Sequence, residues 1–376
     1  MDPPIEAVVF NKLCETFESA RGRVPRDFME RSHFDRAFAS IDMSSSPGLP
    51  YSRLATTNRL LFCDKRGVLR PEQVDWAWNL VVDRLNDRTF DPIKLFVKAE
   101  PMKKEKVAQG RYRLISSISV IDQLIDQMLF GWQNELMMDQ WISLPPKVGW
   151  SPMVGGYKIF HPNMRMAIDK KAWDWTVKGW MVEQELKLRC WLAHGDPTFA
   201  DLAEWRYKCL FKDALLVLSS GVVLRQNVTG IMKSGTVNTI MTNSILQILL
   251  HYRVCAELGI DPGWLWSMGD DTLQTILGDL DLYLALLREY CLAKDPVMAV
   301  EFAGFKFSAE NVEPLYPAKH AYNLLYFDPR YRDDVRISYS LLYAKSADSD
   351  WVYNALSELG EIPSREFLRA VWNGDD

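Results

Sequence analysis

The sequence lacks several features that would assign it to a common class of protein. Its six cysteines are scattered and none pair at the short spacing of a zinc site, so free thiols in a reducing cytosol are expected. No apolar run reaches the roughly 18–20 residues that cross a bilayer, and the N-terminus lacks the basic start and apolar stretch of a signal peptide. We therefore expect a soluble protein without a transmembrane segment, whose membrane association would come through a partner.

The chain also lacks an excess of positive charge, because 44 basic and 49 acidic residues give a net charge of −5. Any binding of RNA must then come from a local concentration of basic residues. Residues 94–113, called the basic segment below, contain seven basic and two acidic residues, a local charge of 7 − 2 = +5. Taken alone, this segment is equally compatible with a solvated loop and with a funnel for triphosphates, since guanidinium and ammonium groups match phosphate oxygens.

What the chain does contain is enough apolar sequence for a large core, with hydrophobic residues at 48%. Residues 119–138, 179–193 and 280–293 have the apolar spacing of helices. A long amphipathic helix is predicted from Val237 to about Leu258, with Gly259 as its stop. Short strand-like runs follow, with a helix near 351–360. This mixture indicates an α+β fold.

Three aspartates stand where rigid elements are predicted to end. Residues 164–169 alternate like a strand that finishes at Asp169, and two short apolar runs flank Gly269-Asp270-Asp271 like a β-hairpin. Two-metal nucleotidyl transfer needs two or three carboxylates on such elements, because Mg²⁺ prefers carboxylate oxygens, phosphate and water. Alone, each segment would be interpreted as a solvated loop or a polar turn. The same tripeptide at 374–376 lacks flanking strands and is interpreted as a frayed end.

A polar stripe opens the long predicted helix. Thr236, Thr239 and Asn243 recur at helical spacing after Ser234-Gly235 and so share one face. The stripe is compatible with simple capping and a solvated face. It is equally compatible with hydroxyl and amide groups that hold a ribose and an RNA backbone.

Taken together, the segments Asp169-x4-Asp174, Ser234-Gly235-x3-Thr239-x3-Asn243 and Gly-Asp-Asp resemble motifs A, B and C of positive-strand RNA virus RNA-dependent RNA polymerases. The resemblance implies that Asp169 and Asp270 bind catalytic metals, with Asp271 nearby. It implies that Asp174 and Asn243 sense the ribose 2′-hydroxyl, which favours ribonucleotides. Ser234, Gly235 and Thr239 are implied as further nucleotide-binding residues.

Further segments extend the resemblance over roughly residues 44–326. Lys98-x-Glu100-Pro101 with Arg111-x-Arg113 resembles motif F, which implies phosphate contacts from Lys98, Arg111 and Arg113. The turn Ser46-Pro47-Gly48 resembles motif G, which lies along the template path.

Gly304-Phe305-Lys306 resembles motif D and implies that Lys306 protonates the leaving pyrophosphate. Lys294 competes with it for that role. Residues 310–326 would hold motif E, the strand pair that joins palm and thumb.

The resemblance implies a right-hand polymerase whose palm is an antiparallel sheet of RRM-like topology. The expected fingers comprise the N-terminal segment 1–118, with motifs G and F, and an insertion at 195–232. The expected palm comprises 119–194, with motif A, and 233–326, with motifs B to E. Residues 327–376 are the expected short thumb.

The implied function is replication of viral RNA by two-metal, template-directed nucleotidyl transfer, in a group similar to sobemoviruses and poleroviruses. Mg²⁺ is the implied cofactor and Mn²⁺ its substitute in vitro. RNA template, nascent strand and NTPs are the implied partners. A protein primer and other viral replication proteins also fit this group, and the host cytoplasm is the implied location, with membrane-bound replication complexes reached through partners. A reverse transcriptase or a non-catalytic RNA-binding palm-fold protein are the alternatives.

Overall fold

The computed structural model describes residues 2–160, 163–309 and 311–375. Its helices are α1 (Pro3–Phe17), α2 (Arg31–Ala39), α3 (Asn58–Phe62), α4 (Pro71–Asp87), α5 (Lys104–Ala108), α6 (Val120–Asp126), α7 (Trp132–Asp139), α8 (Trp173–Thr176), α9 (Gly179–Leu192), α10 (Pro197–Phe211), α11 (Thr239–Leu258), α12 (Leu280–Tyr290), α13 (Pro317–Leu325), α14 (Arg332–Leu342), α15 (Ser349–Ser357) and α16 (Arg365–Asn373). Its strands are β1 (Ile93–Val97), β2 (Leu114–Ser117), β3 (Met164–Ala167), β4 (Leu215–Leu218), β5 (Val223–Arg225), β6 (Leu265–Met268), β7 (Asp271–Thr275), β8 (Val300–Phe302), β9 (Phe305–Phe307) and β10 (Val312–Pro314). This mixture confirms the predicted α+β class.

The central sheet consists of three antiparallel strands in the order β3-β7-β6. Ala167 of β3 pairs with Leu273 of β7, and Met268 of β6 pairs with Asp271 of β7. The backbones of Ala167 and Val297 also exchange two hydrogen bonds, at 3.0 and 2.9 Å, which form an antiparallel bridge on the outer side of β3. The end of β3 and the β6–β7 turn therefore meet at the same edge of this sheet.

The longest helix, α11, forms the centre of the hydrophobic core. It packs against β6 and against helices α1, α9 and α12, and Ile245, Leu249 and Val254 have no exposed surface. A helix covered on all sides needs apolar residues around most of its circumference, which explains its composition. Gly259 ends the helix in the left-handed conformation (φ 65°), as predicted.

The described residues form two further sheets, of four and three strands. One has the order β2-β1-β4-β5, with β1 parallel to β4, and the basic segment runs from β1 through α5 to the start of β2. The other has the order β10-β9-β8 and is antiparallel. An aromatic cluster that includes Trp150, Phe302 and Trp372 packs this second sheet against α16. The C-terminal helices are thereby fixed beside the central sheet.

The longer predicted elements agree with the structure. The helices predicted over 119–138, 179–193 and 237–258 correspond to α6–α7, which a π-helical turn joins, to α9 and to α11. The predicted hairpin corresponds to β6–β7.

The strand pair expected within 310–326 is wrong. Among the described residues of this range, only β10 is a strand, its partner is the preceding β9, and α13 begins at Pro317. Proline suits the first turn of a helix because its φ is fixed and its missing N–H would be unpaired there anyway. From α13 to α16 the described chain is helical, so the expected strand-like runs end at β10.

Three smaller expectations concern thiols, membrane spans and the second Gly-Asp-Asp. All six cysteines are free. No helix in the described parts of the chain combines the length and the apolarity needed to cross a membrane. Gly374 caps α16 in the left-handed conformation (φ 73°) and lies far along the chain from any strand, whereas Asp376 is outside the described residues.

Candidate functional site

The hairpin tip and the end of β3 are joined by specific hydrogen bonds. Gly269 has the positive φ of 62° that the turn requires, and its N–H donates to the Ser244 hydroxyl of α11 at 2.8 Å. The Thr272 hydroxyl donates to the carbonyl oxygen of Ile168 at 3.0 Å. With Ala167 opposite Leu273, this register brings the residues that follow β3 alongside the start of β7.

Asp271 feels the negative charges of Asp270 and Asp169. The surrounding protein, followed by the charges of Asp270 and Asp169, raises the pKa of Asp271 to about 6, although its side chain stays accessible to solvent. Lys170 opposes this rise. Burial lowers the pKa of Lys170 itself to about 8, although Cys291 and then the three carboxylates act to raise it. The strand end and the hairpin tip that carry the three aspartates therefore lie side by side, and a metal site shared by all three carboxylates stays a prediction.

Asp169 is engaged by a lysine on a later loop. Its carboxylate forms an ion pair with the ammonium of Lys294. The backbone N–H of Lys294 also donates to the backbone carbonyl of Asp169 at 2.9 Å. Both side chains are more than half exposed, at 55% and 56%, and such pairs contribute little to stability. Lys294 is thus an exchangeable partner of the Asp169 carboxylate.

The donor chemistry of the site fits a hard divalent cation. Three carboxylates from rigid elements supply oxygen ligands only, as Mg²⁺ prefers. In the described parts of the chain, no three His, Cys, Asp or Glu side chains are already arranged as a metal-binding group. The pairing of Asp169 with Lys294 is consistent with this, because that carboxylate must leave the lysine to join the other two.

Asp174 and Asn243, the predicted ribose sensors, are in direct contact. The Asn243 amide donates to the Asp174 carboxylate at 2.9 Å, and the indole N–H of Trp173 donates to the Asn243 carbonyl oxygen at 3.0 Å. Burial raises the pKa of Asp174, while Asn243 and the charge of Arg113 lower it. Sequence reasoning missed Trp173, and its place beside the motif A aspartate was the available signal.

The loop before α11 is a compact turn fixed to β2. Ser116 donates its N–H to the Ser234 carbonyl at 2.8 Å. A Cβ on Gly235 (φ 123°) would lie 2.4 Å from the Ser116 carbonyl oxygen, so only glycine fits. The Thr239 hydroxyl donates to the carbonyls of Lys233 and Thr236 at 3.1 and 3.0 Å. Thr239 therefore closes this turn, and its nucleotide contact stays a prediction.

Two predicted phosphate ligands of the basic segment share one acidic partner. The Lys98 ammonium and the Arg113 guanidinium lie 3.3 and 3.5 Å from the same carboxylate oxygen of Glu100. The backbone N–H of Lys98 donates to the backbone carbonyl of Arg113 at 2.9 Å. Arg111 donates to the Gln109 side chain at 3.2 Å. The charge of Arg113 lowers the pKa of Asp174, one of the two predicted ribose sensors.

The Ser46-Pro47-Gly48 turn packs against the start of α6. The Val120 N–H donates to the Pro47 carbonyl at 2.9 Å, and the Gly48 N–H donates to the Ser46 hydroxyl at 3.3 Å. A Cβ on Gly48 (φ 66°) would lie 2.5 Å from the Ile118 carbonyl oxygen. The turn is thus rigidly placed, and its role in guiding template stays a prediction.

Lys306 lies apart from the contacts described for the aspartates. On β9 it stands opposite Glu301 of β8 and Glu313 of β10, with an exposed side chain. The structure therefore places Lys294, and not Lys306, against Asp169.

The sequence profile of viral RNA-dependent RNA polymerases matches residues 11–291. The chain belongs to that family. It is 36% identical over 255 residues to the replicase polyprotein P2AB of Southern cowpea mosaic virus, covering 63% of this chain and 26% of the polyprotein. It is 32% identical over 265 residues to protein P1-P2 of Potato leafroll virus, covering 62% and 24%.

A third relative covers nearly the whole chain. Protein P2-P3 of Poinsettia latent virus is 29% identical over 404 aligned residues, covering 92% of this chain and 35% of that protein. The chain thus spans between about a quarter and a third of the length of these relatives. The predicted placement near sobemoviruses and poleroviruses is confirmed.

Proposed function

We propose that the chain is the polymerase part of a viral replicase and adds NTPs to an RNA 3′-hydroxyl under the direction of an RNA template, releasing pyrophosphate. The observation that carries this proposal is the convergence of Asp169, Asp270 and Asp271 from a strand end and a hairpin tip. Family membership supports it independently. The part of the Southern cowpea mosaic virus replicase polyprotein P2AB that matches is 26% of its length.

The central sheet is the proposed palm of a right-hand polymerase. The parts that build this sheet come along the chain as β3, α11, β6, β7, α12 and the bridge at Val297, with α8–α10, β4 and β5 inserted between β3 and α11. In space the order is bridge-β3-β7-β6. A β-α-β-β-α-β path of this kind is that of an RRM-like sheet. Residues 1–118 and 195–232 are the proposed fingers, 119–194 and 233–326 the palm, and 327–376 the thumb.

Each group at the site has a proposed part in the reaction. Asp169, Asp270 and Asp271 hold Mg²⁺, for which Mn²⁺ substitutes in vitro. When bound, such ions supply charge neutralisation at the phosphoryl oxygens and a lowered pKa for the attacking hydroxyl. Side chains of the basic segment bind the triphosphate. The Ser46-Pro47-Gly48 turn lines the template path.

The proton for the leaving pyrophosphate comes from a lysine after the hairpin. Lys294 is better placed for this role than Lys306, because its ammonium already contacts the Asp169 carboxylate. Exchange of that carboxylate frees the ammonium to face a phosphate oxygen. A loss of polymerisation rate in Lys294→Ala that is larger than in Lys306→Ala supports this assignment, and the reverse order contradicts it.

The proposed partners are the RNA template, the nascent strand and NTPs, together with a protein primer and other viral replication proteins. The proposed location is the host cytoplasm, at membrane-associated complexes reached through those proteins. Co-purification of the polymerase with replication membranes, lost when the other viral proteins are absent, tests this location.

Incorporation of labelled NTP on a short RNA template, with Mg²⁺ or Mn²⁺ and an EDTA control, tests the activity. Asp270→Ala should abolish extension because it removes a central metal ligand. The chain offers a matched control in Asp375→Ala, which changes the same position of the second Gly-Asp-Asp and should leave extension intact. Retained extension in Asp270→Ala would overturn the metal assignment.

The same assay separates the two alternative functions. A reverse transcriptase would incorporate dNTPs in preference to NTPs. A non-catalytic RNA-binding protein would retain RNA on a filter and show no synthesis that depends on a divalent cation.

A further inference from the structure

A buried lysine stands directly behind the catalytic aspartates. Lys170, which follows Asp169, is only 5% exposed. Its ammonium donates to the Thr272 hydroxyl at 2.9 Å and to the Ile168 carbonyl at 3.2 Å. Because Thr272 itself donates to the same carbonyl, the three groups close a small ring between the end of β3 and the start of β7. The ammonium is thus held in a fixed place.

This lysine has no partner that cancels its charge directly. Among the described residues it forms no ion pair, although several other buried cations do, for example Arg189 with Glu185 and Arg206 with Asp126. A buried ammonium without a counter-ion is costly, and negative charge nearby reduces that cost. Asp169 precedes it in the chain, and Asp271 precedes Thr272, the residue that accepts from its ammonium, so both aspartates adjoin the ring. Cys291 and then the three aspartates favour its charged form.

The carboxylates have the complementary problem. Three like charges at one sheet edge repel one another, and the repulsion acts whenever no cation lies between them. A positive charge fixed on their protein side offsets part of this repulsion and leaves their solvent side free for a ligand. The same charge repels an incoming cation, so it also weakens the binding of divalent ions.

We infer that Lys170 is a positioning residue, an internal counter-charge that holds the three carboxylates together without metal and reduces their affinity for divalent cations. This inference rests on the proposed metal site. It differs from a purely structural role in the direction of its effect. Structural damage at the strand ends would weaken cation binding, whereas removal of the counter-charge should strengthen it.

The test is direct binding of Mn²⁺ to the metal-free chain, followed by electron paramagnetic resonance at neutral pH. Lys170→Gln keeps a donor for Thr272 and the Ile168 carbonyl but removes the charge. Its Kd for Mn²⁺ should fall on the order of tenfold. Lys170→Arg keeps the charge and should bind Mn²⁺ within about twofold of the parent chain.

Thermal denaturation provides a second readout that does not depend on activity. Without metal, Lys170→Gln should melt below the parent chain, and Mn²⁺ should raise its Tm by more than it raises that of the parent. Should Lys170→Gln fail to fold, Lys170→Met tests the same loss of charge. If neither folds while Lys170→Arg does, the lysine serves the fold itself, and the inference is overturned.

Two further outcomes overturn the inference. If the Kd for Mn²⁺ of Lys170→Gln is unchanged or higher than that of the parent chain, Lys170 has only a structural role in joining the two strand ends. If the parent chain binds no more Mn²⁺ than Asp270→Ala does, the metal site itself fails, and the proposed function fails with it. The parent and Asp270→Ala therefore separate a failure of this inference from a failure of the proposed function.

Discussion

At the scale of single residues, the side-chain amide of Asn243 is fixed on both sides. It donates to Asp174 and accepts from the indole of Trp173, so it presents one defined orientation at the predicted ribose position. Asn243→Ala removes this group and should raise the incorporation of dNTP relative to NTP. The expected change is on the order of tenfold, because loss of one hydrogen bond to a charged partner costs about that much in free energy. Competition between the two sugars on one RNA template measures the ratio.

The control for this variant is Asn354→Ala, on the exposed side of α15. It should leave sugar selectivity as it is in the parent chain. An equal ratio in both variants would remove Asn243 from the ribose-sensing role.

Motif spacing predicted which residues take part in chemistry, but not the residues that contact them. Asp169, Asp174, Asp270 and Asn243 stand at recognisable intervals. Trp173 and Lys170 contact partners 70 and 102 residues away along the chain, and Lys294 contacts a partner 125 residues away. Such contacts depend on how strands pair and helices pack, and no local pattern encodes them. For this reason the sequence could not separate Lys294 from Lys306.

At the scale of an element, the turn before α11 depends on a glycine for two separate reasons. Gly235 has a positive φ of 123°, and a Cβ there would meet the Ser116 carbonyl oxygen. Gly235→Ala should push the turn away from β2, lower stability by about 2–3 kcal/mol and raise the KM for NTP. Denaturant unfolding and steady-state extension measure the two effects.

Gly221 provides a matched control for Gly235. It also has a positive φ, 87°, but a Cβ there would meet nothing within 4 Å. Gly221→Ala should therefore carry only the conformational cost, about 1 kcal/mol, and leave the KM unchanged. Equal losses in the two variants would show that contact with β2 is unimportant.

Periodicity predicted the elements that are long or sharply bounded. The buried helix α11 spans 20 residues and ends at a glycine, and the β6–β7 hairpin is centred on another glycine, so both have clear signals. The error at 310–326 falls where the elements are short. β10 has only three residues, too few for a period of 2 to be distinguished, and its partner strand lies upstream.

At the scale of the whole molecule, distant segments are joined by buried polar groups that sequence reasoning could not pair. Arg206 of α10 donates to both carboxylate oxygens of Asp126 on α6, at 2.7 and 3.0 Å, and both side chains are 1% exposed. These contacts link the proposed fingers insertion to the proposed palm. Loss of one partner would leave a buried charge uncompensated, which is far more costly than loss of an exposed pair.

The C-terminal helices provide a whole-molecule prediction, because one tryptophan anchors them. Trp372 has no exposed surface, its indole N–H donates to the Leu341 carbonyl of α14 at 2.6 Å, and its ring contacts Phe305 of β9 and Tyr157. Trp372→Ala should leave a cavity where α16 meets the β8–β10 sheet, at a cost of about 3–5 kcal/mol. Thermal denaturation should show a lower Tm, and hydrogen exchange should accelerate in α14 and α16.

Trp351, on the neighbouring helix α15, is the matched control because it is 69% exposed. Trp351→Ala removes the same side chain from the surface and should change stability by no more than about 0.5 kcal/mol. Because the aromatic cluster joins these helices to the sheet beside the aspartates, Trp372→Ala should also slow RNA extension, and Trp351→Ala should not. Equal Tm values for the two variants would mean that the C-terminal helices are held by contacts other than this cluster.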